Sequence, residues 1–341
     1  MKHLLTITLV LVIALFVQAQ DSKTIKELYQ EVNPSVVTIL SKEKVNLGGG
    51  DRYNTATVEG LGSGVLISSD GLILTAAHVV QTAEVLKVKF ADGTIREATV
   101  VASAPTADVA LIKMDWEPVG QQVAKMGDSD GMEVGDQIFV VGSPHGLEHS
   151  LSVGYISARH SEGRMDGLKK LEYFQTDAAI NTGNSGGPMF NMQGEVIGLV
   201  SFILSKSGGF EGIGFAATSN VAKQTLMDEQ IAWSGMDALM VEGEVAKALN
   251  VPQKGGVLIQ SVSSKGWASK IGLRGGAIKA QIEGTDLLIG GDIILAVDDL
   301  VLSNEGDIEK ALAYLRENSG SEVTIHYLRN GRKMSDKMNV P

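Results

Sequence analysis

The sequence predicts an all-β domain, built as a barrel or a sandwich, followed by a small α+β domain. Between residues 60 and 200 the chain consists of short β-like runs separated by turn signals such as Ser69-Asp70-Gly71, without helical patterns between them. After residue 238, strand and helix patterns alternate. The 341 residues also exceed one average domain of about 150 residues, so two domains are expected.

Composition excludes several classes of protein. Hydrophobic residues make up 44% and charged residues 20%, which provides enough apolar material for packed cores and rules out a disordered chain. The net charge of −11, with no Lys/Arg cluster, would repel phosphate backbones, so no nucleic-acid partner is predicted. Because the sequence contains no cysteine, disulfides, thiolate nucleophiles and Cys-based metal sites are excluded.

The first 19 residues have the pattern of a signal peptide. Lys2 and His3 precede an apolar run over 4–17, and Ala19 stands at a small-residue cleavage point, so the mature chain would begin near Gln20. The run is shorter than the roughly 20 residues that a membrane-spanning helix needs. We expect an exported protein, periplasmic or secreted; an uncleaved anchor is the alternative.

The first domain is predicted over 20–231 and opens with an amphipathic helix at 24–32, a strand at 35–40 and a polar loop at 41–59. Further strands are expected at 64–67, 72–75, 85–90, 96–102, 109–113, 137–141, 155–158 and 195–200. Ser219 or Asn220 is expected to cap a helix that runs to about residue 231. Residues 232–237 form the predicted linker.

The second domain is predicted over 238–341. Strands are expected at 256–262, 292–297 and 322–328, and helices at 242–249 and 307–315. Within the second helix, the apolar residues Ile308, Ala311, Leu312 and Leu315 follow the spacing of a single helix face. Asn330-Gly331 favours a type I′ hairpin turn.

Three polar residues stand in contexts that suit nucleophilic catalysis. Taken singly, His78 could be a core histidine, Asp108 a turn residue and Ser185 part of a Gly-rich turn. Together they follow the His, Asp, Ser order of a known catalytic triad. A serine hydroxyl is a poor nucleophile until a base takes its proton, and the base needs an acid to fix its tautomer. The combination therefore predicts an active site.

The residues around Ser185 favour the same interpretation. Segment 183–188 reads Gly-Asn-Ser-Gly-Gly-Pro, so the backbone N–H groups of Gly183 and Ser185 can converge on a tetrahedral oxyanion. The segment lacks the Lys and the following helix of a phosphate-binding loop. His145 and His149 flank one loop without a third ligand nearby, so neither a metal nor a cofactor is predicted.

These motifs resemble the HtrA/Deg family of exported trypsin-like serine proteases that carry C-terminal PDZ domains. The resemblance rests on segments 62–71, 75–80, 107–113, 175–181, 183–188 and 212–216, and it extends over the mature chain with one PDZ domain. It implies a chymotrypsin-like protease domain of two six-stranded barrels, followed by an α+β PDZ domain. It also implies ATP-independent proteolysis of misfolded or unfolded proteins by a homotrimer or higher homo-oligomer. By resemblance, Ser185 is the nucleophile, His78 the general base and Asp108 the orienting acid.

In this fold, the residues five and six before the nucleophile line the primary specificity pocket. These are Ile180 and Ala179. Because neither is charged, a substrate Lys or Arg would be buried there without a partner. We therefore expect cleavage after small or medium apolar residues.

The resemblance also assigns roles outside the catalytic site. Peptide C-termini would bind in a loop containing Leu239, Met240 and Val241, beside the helix at 307–315. Met240 stands where the family usually has glycine, and 275–288 looks like an insertion. The segment 159–170 would be a sensor loop that couples peptide binding to ordering of the oxyanion hole. The N-terminal segment, with Tyr29 as its aromatic residue, would supply trimer contacts.

Two other functions are considered. A chaperone or peptide-binding scaffold with incidental proteolysis would depend on the second domain, and an esterase would use the same triad. The complete set of catalytic residues disfavours a silenced scaffold, and the PDZ-like half disfavours an esterase. Hydrolysis of unfolded protein by the intact chain and by a Ser185→Ala variant separates these alternatives.

Overall fold

The structure, a computed structural model, describes residues 23–46, 55–147, 149–162, 171–228 and 232–341. The predicted signal peptide lies outside these ranges. None of the helices within them has the length and apolar character needed to cross a bilayer. The described chain begins with α1 (Ile25–Val32), which is capped by Thr24: the Thr24 hydroxyl accepts from the Glu27 N–H, and the Glu27 carboxylate accepts from the Thr24 N–H.

Six antiparallel strands close the first barrel in the order β1-β2-β3-β6-β5-β4. They are β1 (Val36–Asn46), β2 (Thr55–Leu66), β3 (Leu72–Thr75), β4 (Ala83–Phe90), β5 (Ile95–Ala104) and β6 (Val109–Met114). A one-turn helix, α2 (Ala77–Val80), lies between β3 and β4. Buried aliphatic side chains fill the interior, among them Ile39, Ile73, Val88 and Ile112.

The polar loop predicted at 41–59 is wrong for 41–46 and 55–59, and residues 47–54 lie outside the described ranges. Strand β1 continues to Asn46, and β2 already begins at Thr55. Lys42 stands opposite Glu59 in this hairpin, and its Nζ lies 2.9 Å from the Glu59 carboxylate. Because one side of an antiparallel ribbon can face water and carry such cross-strand charge pairs, a polar composition does not exclude a strand.

A second barrel follows, with strand order β11-β8-β9-β10-β13-β12 and closure by the pairing of β11 with β12. Its strands are β8 (Gln137–Gly142), β9 (Ser150–Glu162), β10 (Leu171–Thr176), β11 (Pro188–Phe190), β12 (Glu195–Ile203) and β13 (Gly214–Thr218); the short β7 (Lys125–Met126) adds to β12 in parallel. The predicted chymotrypsin-like architecture is confirmed. Residues 159–162 of the predicted sensor loop belong to β9, and 163–170 lie outside the described ranges.

The two barrels and α1 share one hydrophobic cluster. Leu28 of α1, Val65 and Leu74 of the first barrel, and Phe139 and Phe190 of the second are all buried in it. The two phenylalanine rings stack with centroids 5.1 Å apart. Burying a side chain of this size contributes roughly 1.5–3 kcal/mol, so this seam holds the barrels in a defined relative position.

The N-cap of the helix after the second barrel lies one residue before the first of the two predicted capping residues. α3 (Ser219–Lys223) has Thr218 as its N-cap, without a side-chain cap, and continues as a π-helical turn over Gln224–Asp228. The two predicted capping residues have other partners. Ser219 Oγ donates to the carbonyl of Gly127, and Asn220 Nδ2 donates to the Asp128 carboxylate, because the helix start packs against that loop.

The C-terminal domain is a small α+β unit, as predicted. Its sheet runs in the order β14-β15-β18-β20-β21, with β19 on β18 and a separate hairpin of β16 and β17. The strands are β14 (Met236–Glu242), β15 (Gly255–Val262), β16 (Ile278–Ile282), β17 (Thr285–Ile289), β18 (Ile293–Val297), β19 (Leu300–Val301), β20 (Glu322–Arg329) and β21 (Arg332–Asn339). The helices are α4 (Gly243–Ala248), α5 (Trp267–Lys270) and α6 (Glu305–Glu317). Positive φ values at Asn330 and Gly331, 49° and 73°, form the expected hairpin turn.

The loop predicted around Leu239 is wrong, because these residues lie within strand β14. Met240 packs in the same cluster as Ile308 and Ala311 of α6, whereas Val241 is 2% exposed and belongs to the cluster on the other face of the sheet. Leu239 is 38% exposed. The alternation of side chains along a strand therefore separates Met240 from Leu239 and Val241, which were expected to act together with it.

The C-terminal domain contacts the first barrel directly after α2. The Trp233 indole donates to the carbonyl of Gln81 at 2.9 Å, and the Gln81 side chain donates to the carbonyl of Met236 at 2.7 Å. Ser263 Oγ donates to the carbonyl of Ala83 at 2.9 Å. These contacts attach the second domain within a few residues of His78.

Candidate active site

His78 and Asp108 meet at one end of the first barrel. His78 lies in α2, directly after β3, and Asp108 ends the 3-10 turn that leads into β6. Strands β3 and β6 are paired neighbours, with Thr75 opposite Ala110. The pairing of the two strands therefore brings together side chains that are 30 residues apart in the sequence.

The Asp108 carboxylate forms hydrogen bonds with both the ring and the backbone of His78. His78 Nδ1 lies 2.9 Å from each carboxylate oxygen, and the His78 N–H donates to Oδ1 at 3.0 Å. The Asp108 side chain is 18% exposed and that of His78 is 51% exposed. Because a carboxylate only accepts, the proton of the neutral ring lies on Nδ1, which leaves Nε2 as a proton acceptor.

A further residue holds Asp108, and the sequence analysis missed it. Ser201 Oγ donates to Asp108 Oδ2. Ser201 is 3% exposed and lies in β12, just after the run 195–200 that was predicted as a strand. A single serine after an apolar run has no distinctive sequence signal, so only the three-dimensional contact reveals it.

Ser185 lies in a turn whose neighbouring peptide groups are fixed by hydrogen bonds. The backbone N–H groups of Gly183 and Ser185 are exceptions, since neither has an acceptor among the described residues. They are the two donors predicted for the oxyanion hole. The paired N–H groups of this turn are those of Asn184 to Asn181 O (3.0 Å), Gly186 to Val200 O (2.7 Å) and Gly187 to Asn184 O (2.8 Å).

Two glycines are required by this turn. The Asn184 to Asn181 bond closes a four-residue turn, and φ of 103° at Gly183, the third residue, is typical of a type II turn. Gly186 has φ of 79°, and a Cβ there would lie 2.2 Å from Thr75 Oγ1. The turn can therefore pack tightly against the strand that leads to His78 only with glycine at these positions.

The turn of Ser185 is held against the first barrel, close to His78. The Ser63 N–H donates to the carbonyl of Ser185 at 2.8 Å, and Gly186 packs on Thr75, three residues before His78. No hydrogen bond joins Ser185 Oγ to His78, although both residues are described. Catalytic hydrogen bonds commonly tighten only when substrate is bound, so the absence of this bond does not argue against a catalytic pair.

The two predicted pocket residues have different surroundings. Ile180 is 3% exposed and packs in the apolar core of the second barrel, whereas Ala179 is exposed. A Cβ on Gly214 would lie 2.6 Å from Ile180 Cδ1, so these two positions are in contact. Phe210 packs against the same apolar cluster.

His149 and His160, two histidines outside the site, have polar partners within the chain. His149 Nδ1 lies 2.8 Å from Asn33 Oδ1, and its carbonyl accepts from the Tyr29 hydroxyl at 2.6 Å. Tyr29, expected at a trimer contact, thus uses its hydroxyl within its own chain. The side chain of His145 lies outside the described residues. In the part of the chain that the structure describes, no group of three His, Cys, Asp or Glu side chains is placed to hold a metal.

Residues 62–199, which include all three candidate catalytic residues, match the family model of the trypsin-like peptidase domain. A probable periplasmic DegP-like serine endoprotease of Pseudomonas putida is 34% identical over 298 residues, 85% of this chain and 57% of that protein. A protein of the same description from Pseudomonas fulva is 32% identical over 311 residues, covering 86% of this chain and 64% of the relative. These comparisons support an assignment of this chain to the HtrA/Deg family.

Solved structures of HtrA-type proteases resemble this chain over more than nine tenths of its length. AlgW with a decapeptide is 27% identical with a TM-score of 0.51, covering 92% of this chain and 97% of the other. AlgW with a tripeptide is 28% identical with a TM-score of 0.52, covering 93% and 96%. The chain spans only 57% and 64% of the two curated relatives above.

Proposed function

We propose that this protein is an exported, ATP-independent serine endopeptidase of the HtrA/Deg family that degrades misfolded or unfolded proteins as a homotrimer or higher homo-oligomer. The observation that carries the proposal is the His78–Asp108 pair, hydrogen-bonded at 2.9 Å, next to a serine turn with two unpaired N–H groups. The names of the relatives, periplasmic serine endoproteases, support both the activity and the export.

The geometry suggests one role for each residue. Ser185 Oγ attacks the scissile carbonyl carbon while His78 Nε2 takes its proton. Asp108 stabilises the imidazolium that forms, and the N–H groups of Gly183 and Ser185 bind the developing oxyanion. His78 then returns the proton to the leaving amine, which leaves an acyl-enzyme. Water, deprotonated by His78, hydrolyses this ester and regenerates Ser185.

The end of β12 offers a surface for an extended substrate. Phe202 and Ile203 pair with β13 on one side and with no described strand on the other. A substrate backbone can add to such an edge as a further strand. Phe202 is 47% exposed and stacks on Phe215 at 4.6 Å, which provides an apolar face beside this edge.

Cleavage sites should reveal the apolar specificity pocket. Because Ile180 and its neighbours provide no counter-charge, a Lys or Arg side chain in the pocket would cost several kcal/mol. We expect cuts in unfolded casein mainly after Val, Ala, Leu or Ile. Mass spectrometry of the products is the measurement; cleavage mainly after Lys or Arg would contradict this assignment, while no cleavage at all would contradict the endopeptidase itself.

Replacing Ser201 with alanine should lower kcat/KM about tenfold. The variant removes one hydrogen bond to the Asp108 carboxylate, of the kind that contributes about 1.5–3 kcal/mol, but leaves both bonds to His78. Casein hydrolysis is compared with that of Ser205→Ala, in the loop after β12. Wild-type activity in Ser201→Ala would show that the bond does not support catalysis.

Peptide C-termini are the proposed ligands of the second domain. Strand β14 pairs with β15 only, so its other edge is available beside α6 among the described elements. The structures of AlgW with peptides support this proposal. A fluorescent apolar decapeptide with a free C-terminus should bind at least about tenfold more tightly than its C-terminal amide, since each tenfold step is 1.4 kcal/mol. Equal affinities would contradict carboxylate recognition.

A further inference from the structure

Ser63 connects both barrels to the turn of Ser185. It lies in β2 and is fully buried, at 0% exposure. Its Oγ donates to the carbonyl of Gly183 at 2.7 Å and accepts from the Ser143 N–H of the second barrel at 2.9 Å. Its own N–H donates to the carbonyl of Ser185 at 2.8 Å, and its carbonyl accepts from Thr75 Oγ1 at 2.8 Å. All four polar interactions of this residue therefore lie at the catalytic turn or at the seam between the barrels.

We propose that Ser63 is the positioning residue of the oxyanion hole. The inference rests on the proposed function and adds a residue that never touches substrate. The side chain of Ser63 holds the Gly183–Asn184 peptide plane at its carbonyl, while the bond from the Asn184 N–H to Asn181 O holds the other side of that plane. The Ser63 backbone N–H holds the carbonyl of the plane that follows Ser185. The two N–H groups available to an oxyanion are those of Gly183 and Ser185. They belong to the peptide planes immediately before and immediately after the plane that the Ser63 hydroxyl holds.

The physical need for this anchor comes from Gly183. A glycine can rotate its neighbouring peptide planes at little steric cost, and Gly183 already has φ of 103°. Without the Ser63 hydroxyl, the buried carbonyl of Gly183 loses its hydrogen-bond donor. Because an unpaired buried carbonyl is unfavourable, rotation of this peptide plane toward another donor would then be favoured. A change of the dihedral angles at Gly183 moves its N–H relative to that of Ser185, so the two donors no longer point at the same atom.

Thr38 provides a matched control. It is 2% exposed, and its Oγ1 lies 2.6 Å from Ser143 Oγ, at the next step of the same buried network. Thr38 makes no hydrogen bond to the turn of Ser185 in the described structure. A Thr38→Val variant therefore removes a buried hydroxyl, as Ser63→Ala does, but leaves the peptide planes of the turn anchored.

The test is steady-state hydrolysis of a fluorogenic apolar peptide by wild type, Ser63→Ala, Thr38→Val and Ser185→Ala, all as the full mature chain. Removing one direct oxyanion donor costs about 10²–10³ in kcat, so we expect loss of its anchor to lower kcat by about 10–100-fold. KM should change less than about twofold, because ground-state binding does not use the oxyanion. Thr38→Val should keep kcat within about threefold of wild type.

A second readout separates positioning from general loss of structure. The affinity of a peptide boronate, which places an oxyanion-like oxygen in the hole, should fall in Ser63→Ala by the same factor as kcat/KM. Unchanged boronate affinity and kcat in a folded Ser63→Ala, or an equal kcat loss in Thr38→Val, would overturn the proposal.

If Ser63→Ala does not fold, Ser63→Cys takes its place. Because a thiol donates only weakly, a kcat loss of at least about threefold is expected for Ser63→Cys, and full activity would overturn the proposal. Wild type without activity above Ser185→Ala would instead refute the proposed function.

Discussion

Replacing Ser185 with alanine should lower kcat for unfolded casein by about 10⁵–10⁶-fold. The substitution removes the hydroxyl that would form the acyl-enzyme, while the rest of the site stays in place. In a serine protease the loss of this one group costs about as much as the loss of the whole triad, and the residual rate comes from binding and the oxyanion hole. The turn should keep its form, because its hydrogen bonds run through backbone groups of Ser185 and its neighbours.

The measurement is the initial rate of casein hydrolysis, with thermal unfolding recorded for each protein. Ser319→Ala is a suitable control, because Ser319 is an exposed serine of the C-terminal domain that donates to the carbonyl of Pro341. This control should keep the wild-type rate. Casein turnover that persists in Ser185→Ala would contradict the assignment as a serine protease. It would favour the alternative of a chaperone or peptide-binding scaffold whose proteolysis does not depend on Ser185.

Replacing Asp108 with asparagine should lower kcat by about 10⁴-fold without disturbing the fold. Asp108 has φ of 52°, a left-handed conformation that both Asp and Asn tolerate. The substitution should therefore leave the backbone conformation at this position unchanged. The asparagine amide can donate to His78 Nδ1, which moves the ring proton to Nε2. A ring protonated at Nε2 cannot accept the proton of Ser185, and the amide cannot stabilise an imidazolium.

Asp298→Asn is the matched control for this prediction. Asp298 also has a left-handed backbone, with φ of 46°, and accepts from the Tyr314 hydroxyl in the C-terminal domain. Casein turnover by the two variants is compared at neutral pH together with their unfolding midpoints. An Asp108→Asn protein that is folded and loses less than about tenfold in kcat would show that His78 does not depend on this carboxylate.

The sequence predicted those parts of the site that local motifs carry. His78, Asp108 and Ser185 each lie in a segment with a distinctive sequence pattern. Their His, Asp, Ser order along the chain predicted that the three residues act together. The strands at 72–75 and 109–113 were predicted closely, because buried apolar runs between turn residues are distinctive. The Asn330-Gly331 turn follows from the left-handed backbone that both residues accept.

The missed features depend on contacts between distant segments. Ser201 and Ser63 are ordinary buried serines whose roles come from partners 93 and 120 residues away. Strand β1 extends into polar residues because Lys42 finds Glu59 across the hairpin. Residues 238–241 form a strand because β15 offers its edge, and no local pattern contains that information.

The central claim is that His78 activates Ser185, and covalent labelling tests it most directly. A fluorophosphonate phosphorylates an activated serine: the Oγ–P bond forms, fluoride leaves and the hydroxyl proton passes to the base. Mass spectrometry of the intact chain and of its peptides measures the rate and the site. We predict one adduct per chain, on Ser185, at a rate that falls by at least about 10³-fold in His78→Ala. An adduct on another serine, or an equal labelling rate without His78, would contradict the account.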